Sequence, residues 1–265
     1  MLTTPARLLV PPPPPDPRFF ADIEAYSDSQ DFLIQQTLSA ALLYCLNNAV
    51  PNSSYLQPYL QTEDQRFSWN ALHNFLEELV TYTEDCNGMP EHSQRVSRIA
   101  LRCGVALGFG LDELSQLYWG GALHDIGKLA LDQRVLAKTT SLSHTEWQQI
   151  RQHPEWGYKV IKQVLHNEVI AEIALTHHEH WDGGGYPNGL RDEAIPLNGR
   201  IVAIADTFDA ITSQRRYKKA IDKGVALEII RTEAGQQFDP ELVRLFIDSD
   251  VLFRSDLGTD LPDLG

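Results

Sequence analysis

The sequence predicts an all-α protein. Apolar residues recur at helical spacing from about Phe19 onward, strict alternation is almost absent, and helix-start signals stand at the heads of several apolar stripes. At 265 residues, with 43% hydrophobic and 22% charged, the chain is long enough for one large domain or two modest ones with real cores.

Residues 11–15 are five consecutive prolines, followed by Asp16 and Pro17. Such a run lacks amide donors and holds a stiff polyproline II conformation, so it is a spacer or tail outside any core. Phe32, Gln35, Gln36, Ser39, Leu42 and Leu43 trace one mixed helical face, and Ala71, Phe75, Leu76, Leu79 and Val80 a cleaner one. The connection between them is rich in Pro, Asn and Ser and sets a boundary near residue 66. Residues 1–66 are therefore read as a proline-rich tail with a smaller helical region, and 67–265 as the main domain.

In the main domain, Val96, Ile99, Ala100, Cys103 and Leu107 form one buried helical stripe. Ser143 and Glu146 make a capping box, so a helix starts there and carries Ile150 inward. Pro154 interrupts the pattern as a kink, and Val160, Ile161, Val164 and Leu165 resume it. Asn167 caps a helix whose apolar face is Ile170, Ile173 and Ala174. After Asn198 the stripe is Ile201, Ile204, Ala205 and Phe208.

The formal net charge of −14 comes from 36 acidic and 22 basic residues, which disfavours long polyanions such as duplex DNA or an anionic membrane surface as partners. The three cysteines are scattered and unpaired in sequence, against a disulfide framework or a thiolate zinc site. No stretch approaches the roughly 20 apolar residues of a membrane span. The N-terminal residues lack a secretory pattern, so a cytoplasmic location is expected.

The histidines concentrate the chemistry. The stripe Ile170, Ile173, Ala174 continues to His177 and His178, so both imidazoles face the interior. Two adjacent buried imidazoles cannot be satisfied by aliphatic neighbours, whereas a metal satisfies several at once. His124 and Asp125 sit side by side after an apolar face set by Leu117, Tyr118 and Ala122, with Lys128 four residues on along the same helical face. His92 shares the face that begins at Val96, and His153 falls just before Pro154. Asp206 lies in an apolar segment where an unpaired carboxylate is costly and a cation partner is expected. His73, His144, His166 and His180 lack such company and are read as surface or packing residues. Gly183, Gly184 and Gly185 let the chain turn sharply before Tyr186 and Pro187, a pattern that by itself also fits a plain glycine turn capped by an aromatic.

The ordered combination "LHDIGK" at 123–128, "HHEHWDGGGYP" at 177–187, "ADTFDAITSQRRYK" at 205–218 and "GQQFDP" at 235–240 resembles the HD-GYP family of HD-domain metal phosphohydrolases. The resemblance covers roughly residues 68–247. It implies an HD-type helical bundle that hydrolyses cyclic di-GMP to pGpG, GMP or both, through a hydroxide bridging two divalent ions, iron or manganese. By position it implies metal ligands at His92, His124, Asp125, His153, His177, His178 and Asp206, with Asp125 bridging. Lys128 and Asp125 become catalytic, and Gly185, Tyr186, Pro187, Arg215 and Lys218 substrate-binding, Tyr186 offering a ring face to guanine and a hydroxyl to phosphate. Where some members carry a third-metal glutamate this chain has Gly88, so two metals are expected, with Glu91 pointing elsewhere; Arg216 replaces a frequent proline. The competing readings are a cyclic-dinucleotide receptor or interaction module with little turnover, signalling through its N-terminal helices, and an HD phosphohydrolase of another cyclic dinucleotide; a protein partner at the N-terminal region is a further expectation.

Overall fold

The computed structural model describes residues 91–214 and 220–248, together with Val80, Thr81, Glu84 and Met89. The expectations for residues 1–66, His73, Gly88, Arg215, Arg216 and Lys218 lie outside the described residues. Among the described residues the secondary structure is helical, with an isolated bridge between Ala234 and Phe238 and no strand.

The helices are α1 (His92–Ala106), α2 (Leu111–Leu123), α3 (Gln133–Leu136), α4 (His144–Ile150), α5 (His153–Leu165), α6 (Glu168–Thr176), α7 (Leu197–Thr212), α8 (Lys223–Thr232) and α9 (Pro240–Asp248). Single 3-10 segments lie at Ile126–Ala130 and Asp192–Ala194. Helix α7 is the centre of the bundle and packs on α1, α2, α6, α8 and α9, while α5 lies along α6 and the first 3-10 segment.

One apolar cluster joins Val96, Leu117, Ile173, Ile201, Ile204, Phe208, Ile230, Phe238 and Phe246. Burying each Ile, Leu or Phe side chain contributes roughly 1.5–3 kcal/mol. Exposed pairs such as Arg231–Glu228 and Arg244–Glu241 contribute at most about 1 kcal/mol apiece. The core therefore holds the helices together, and the surface ion pairs are secondary.

The helix starts read from the sequence are present. Ser143 Oγ accepts from Glu146 N at 3.2 Å while Ser143 N donates to Glu146 Oε2 at 2.6 Å. Asn167 Oδ1 accepts from Ile170 N at 3.1 Å. Asp239, ahead of Pro240 at the first helical position, accepts from Glu241 N at 2.9 Å.

Three local expectations are corrected. The α1 stripe stops before Leu107, which is 37% exposed because the helix ends at Ala106 and Gly108 turns the chain away at φ 77. Pro154 makes no kink: it is the second residue of a new helix, where its missing N–H costs nothing. Lys128 does not continue the helix of His124, since α2 ends at Leu123 and a 3-10 segment follows. That segment can approach α5 because residue 127 has no side chain; a Cβ there would lie 1.9 Å from the carbonyl oxygen of His153.

Candidate metal centre

The seven side chains singled out in the sequence converge, although they come from five separate places in the chain. His92 is the first residue of α1 and His153 the first of α5. His124 and Asp125 follow the end of α2, His177 and His178 follow the end of α6, and Asp206 lies within α7. His92, His124, Asp125, His153 and His177 are buried, and His178 and Asp206 are half-buried.

Helix ends fix the rings. The last carbonyls of a helix have no intrahelical donor, and three histidines use them. His124 Nδ1 donates to Gly121 O at 2.8 Å, His153 Nδ1 to Ile150 O at 2.7 Å and His177 Nδ1 to Ala174 O at 2.9 Å. A carbonyl only accepts, so each of these Nδ1 atoms carries the hydrogen and each neutral ring presents a bare Nε2. His92 is oriented differently: its Nδ1 meets Asp209 Oδ2 at 2.7 Å, and Asp209 is itself held by Arg95 Nε at 2.6 Å and Ser213 Oγ at 3.0 Å.

The bare nitrogens point at one another. His153 Nε2 and His177 Nε2 lie 3.3 Å apart, so two lone pairs face each other unless a proton or a metal ion lies between or beside them. His124 Nε2 and Asp125 Oδ1 are buried with no hydrogen-bond partner, and His92 Nε2 faces Asp206 Oδ1 at 3.1 Å. Buried orphaned acceptors are costly, and divalent cations relieve all of them at once.

The ligand atoms form two groups that share one residue. Asp125, His153, His177 and His178 make the first, and His92, His124 and Asp125 the second. Asp125 Oδ1 faces His153 at 3.2 Å and His177 at 3.8 Å, while Oδ2 faces His124 at 3.5 Å and bonds Lys128 Nζ. Asp206 Oδ1 lies with the second group, 3.1 Å from His92 and 4.0 Å from His124.

The electrostatics fit cation binding. Burial opposes ionisation of Asp125, yet Lys128 and the neighbouring imidazoles hold its carboxyl well below the usual range. Burial likewise works against Asp206, and His92 outweighs it, so this carboxyl is also low. Burial pushes His178 down to about 3 and lowers His124 and His177 too. Burial works against charge on His92, but Asp206 and Asp209 raise it to about 9.

These shifts predict a pH optimum of stability for the chelated protein. Below the ordinary value of 6.5 the unfolded chain protonates imidazoles that the fold keeps neutral, so stability falls as pH drops from 6.5 toward 3. His92 contributes with the opposite sign. Its stabilisation is complete below 6.5 and is lost as pH rises toward about 9. Thermal unfolding with a chelator present is expected to give a maximum near neutrality, whereas a melting temperature climbing steadily from pH 5 to 9 would contradict these charge states.

The glycine-rich loop closes one side of the cluster. Tyr186 N donates to His178 O at 3.0 Å, and a Cβ at Gly185 would sit 2.3 Å from His180 N, so only glycine permits this approach. Glu179, 2% exposed, accepts from Asn188 N at 2.7 Å and Leu190 N at 3.0 Å and ties the loop down. The "GQQFDP" segment docks on the same loop through Trp181 N to Gln237 O and Asp182 N to Gln236 O. The Tyr186 ring stacks on His178 at 4.8 Å between centroids, and the Arg151 guanidinium lies over it at 4.6 Å, so the ring packs against two neighbours. Burial raises the Tyr186 pKa, so its hydroxyl is a neutral donor.

Sequence reasoning missed Asp209, Glu179 and Arg151. Asp209 has a weak signal in its position one turn after Asp206, and Glu179 in its place directly after the paired histidines. Glu84, buried, accepts from Ser93 N at 2.6 Å and lines a small cavity with Met89, His92 and Asp125, whereas Glu91 is exposed as expected.

A helical bundle with a buried histidine and aspartate cluster is the arrangement of an HD-type domain. The HD domain family model matches residues 78–242, well over half of the chain, and the chain belongs to this family, its motifs placing it in the HD-GYP branch. A cyclic di-GMP phosphodiesterase of Thermotoga maritima is 38% identical over 160 residues, 59% of this chain and 43% of that protein. A 3'3'-cGAMP-specific phosphodiesterase of Vibrio cholerae is 37% identical over 159 residues, 59% of this chain and 30% of that protein. The chain thus spans less than half the length of these relatives. The crystal structure of a cyclic GMP-AMP specific phosphodiesterase from V. cholerae superposes with a TM-score of 0.52 at 23% identity, over 69% of this chain and 51% of that one, a likeness of fold. No helix among the described residues is long and apolar enough to cross a membrane.

Proposed function

We propose that this chain is a metal-dependent phosphodiesterase that hydrolyses cyclic di-GMP. The observation that carries the reading is the convergence of bare Nε2 atoms and an orphaned Asp125 oxygen on one buried spot. Divalent ions held by His92, His124, Asp125, His153, His177, His178 and Asp206 would supply Lewis acidity toward a phosphoryl oxygen and an activated water. A mixed imidazole and carboxylate donor set suits iron or manganese, and the two groups sharing Asp125 support two ions.

The remaining chemistry belongs to the chain's own residues. Asp125 sets the spacing between the two groups, because its oxygens face different histidines. Lys128, bonded to Asp125, stands where it neutralises charge that builds on phosphate. Tyr186 offers its hydroxyl from the loop held by Glu179. Arg215 and Lys218 are assigned to phosphate contact on the motif they share with the family.

The test is a chromatographic assay of the purified protein with cyclic di-GMP and, in parallel, cyclic GMP-AMP, the latter because a relative named for it is of equal similarity. Ferrous iron under anaerobic conditions and manganese are supplied separately, beside His124→Ala. Metal-dependent pGpG or GMP, absent in the variant, is the expected result. A fully metallated protein that leaves both dinucleotides intact would overturn the reading.

A further inference from the structure

Arg151 is the residue at this site that no motif assigns. It follows the last residue of α4, is exposed, and its guanidinium lies 4.6 Å over Tyr186, whose ring also stacks on the candidate ligand His178.

Of the other described cations near the cluster, Lys128 serves the scissile phosphate beside the metals and the rest are neutralised or bonded. Lys128 pairs with Asp125, Arg95 with Asp209 and Arg200 with Asp239, while Arg191 donates to Asp182 O. No described carboxylate pairs with Arg151, which stacks on the Tyr186 ring instead. In a protein of net charge −14, an uncompensated, exposed guanidinium one ring away from the histidine cluster attracts anions selectively. The ring beneath it keeps the guanidinium plane fixed while leaving its N–H edge available.

We propose that Arg151 binds the second, non-scissile phosphate of a cyclic dinucleotide. This rests on the proposed substrate class. Such a ring carries two phosphodiesters, and the metal cluster neutralises the one being cleaved. The other needs a cation displaced from the metals, and Arg151, joined to His178 through the Tyr186 ring, is so placed. Arginine gives bidentate hydrogen bonds to phosphate that lysine does not reproduce. The residue is thereby a determinant of selectivity for dinucleotides over simple diesters.

The experiment compares the full chain with Arg151→Ala and Arg151→Lys on cyclic di-GMP and on bis(p-nitrophenyl) phosphate, a diester with no second phosphate. Metal content is measured for each protein. For Arg151→Ala the expected result is a KM for the dinucleotide about tenfold higher with kcat changed less than about threefold, and a clearly smaller loss on the aryl diester than on the dinucleotide. Arg151→Lys should recover part of the loss. An unchanged KM would overturn the inference, and so would equal losses on both substrates, which would mean that Arg151 acts only by steadying Tyr186. Failure of the substrate assignment looks different: the unsubstituted protein would cleave the aryl diester and no cyclic dinucleotide, and the inference would fall with it.

Discussion

Asp125→Asn is expected to lower hydrolysis of the cyclic dinucleotide by about a thousandfold or more and to strip metal from the protein. Asp125 is the residue common to both ligand groups, and its two oxygens face different histidines. An amide offers one neutral oxygen and a nitrogen that cannot bind a cation, so both groups lose their shared anion. Loss of a preorganised charge at a reacting phosphate costs a factor of about 100–1,000 for a single interaction, and here metal retention fails as well. Metal analysis and turnover measured on the same preparation check this. A variant that keeps its metal and turns over near the normal rate would remove Asp125 from the centre.

Glu179→Ala should produce the next largest effect, of a different kind. Its buried carboxylate accepts the backbone N–H groups of Asn188 and Leu190, and truncation leaves both without an acceptor, at roughly 1–3 kcal/mol each. The segment so released carries Tyr186. Each 1.4 kcal/mol of lost positioning is tenfold in rate, so kcat/KM should fall by about 10–100-fold. Metal content should be unchanged, because Glu179 is outside both ligand groups. Metal lost in parallel with activity would show instead that the loop and the metal cluster form one unit.

The difference between these two predictions tracks what a sequence can disclose. The clustered histidines and aspartates were legible because their cost is local: an imidazole or carboxylate on an apolar stripe announces an unmet need wherever it occurs. His177, His178 and Asp206 each stood out for that reason. The capping residues Ser143 and Asn167 were legible too, since a cap acts within three residues. Asp209 was not, because its meaning depends on His92, more than a hundred positions away, and nothing along the chain brings the two together. Arg151 and Tyr186 are likewise joined only by the fold.

The errors share a cause. Pro154 read as a kink because periodicity resumed beyond it, yet the same proline serves equally at the start of a helix. Lys128 read as a helical neighbour of His124, whereas its contact with Asp125 arises in the 3-10 segment that follows. Leu107 read as buried because the stripe was extrapolated through a residue that the turn at Gly108 exposes. In each case spacing identified the residue and chain geometry decided its neighbours.

The helix ends that orient His124, His153 and His177 have a consequence for how the site tolerates change. Their partners are main-chain oxygens of Gly121, Ile150 and Ala174, and every amino acid supplies the same oxygen. A new side chain at an acceptor position leaves its oxygen in place unless the backbone shifts, as a Cβ at Gly121, 2.9 Å from Ser97 Cα, would force; otherwise the direction of the three rings is inherited with the bundle itself. His92 is the exception, since it depends on the carboxylate of Asp209. Drift in sequence can therefore erode the aim of the cluster at one corner while the other three stay true for as long as the helices hold.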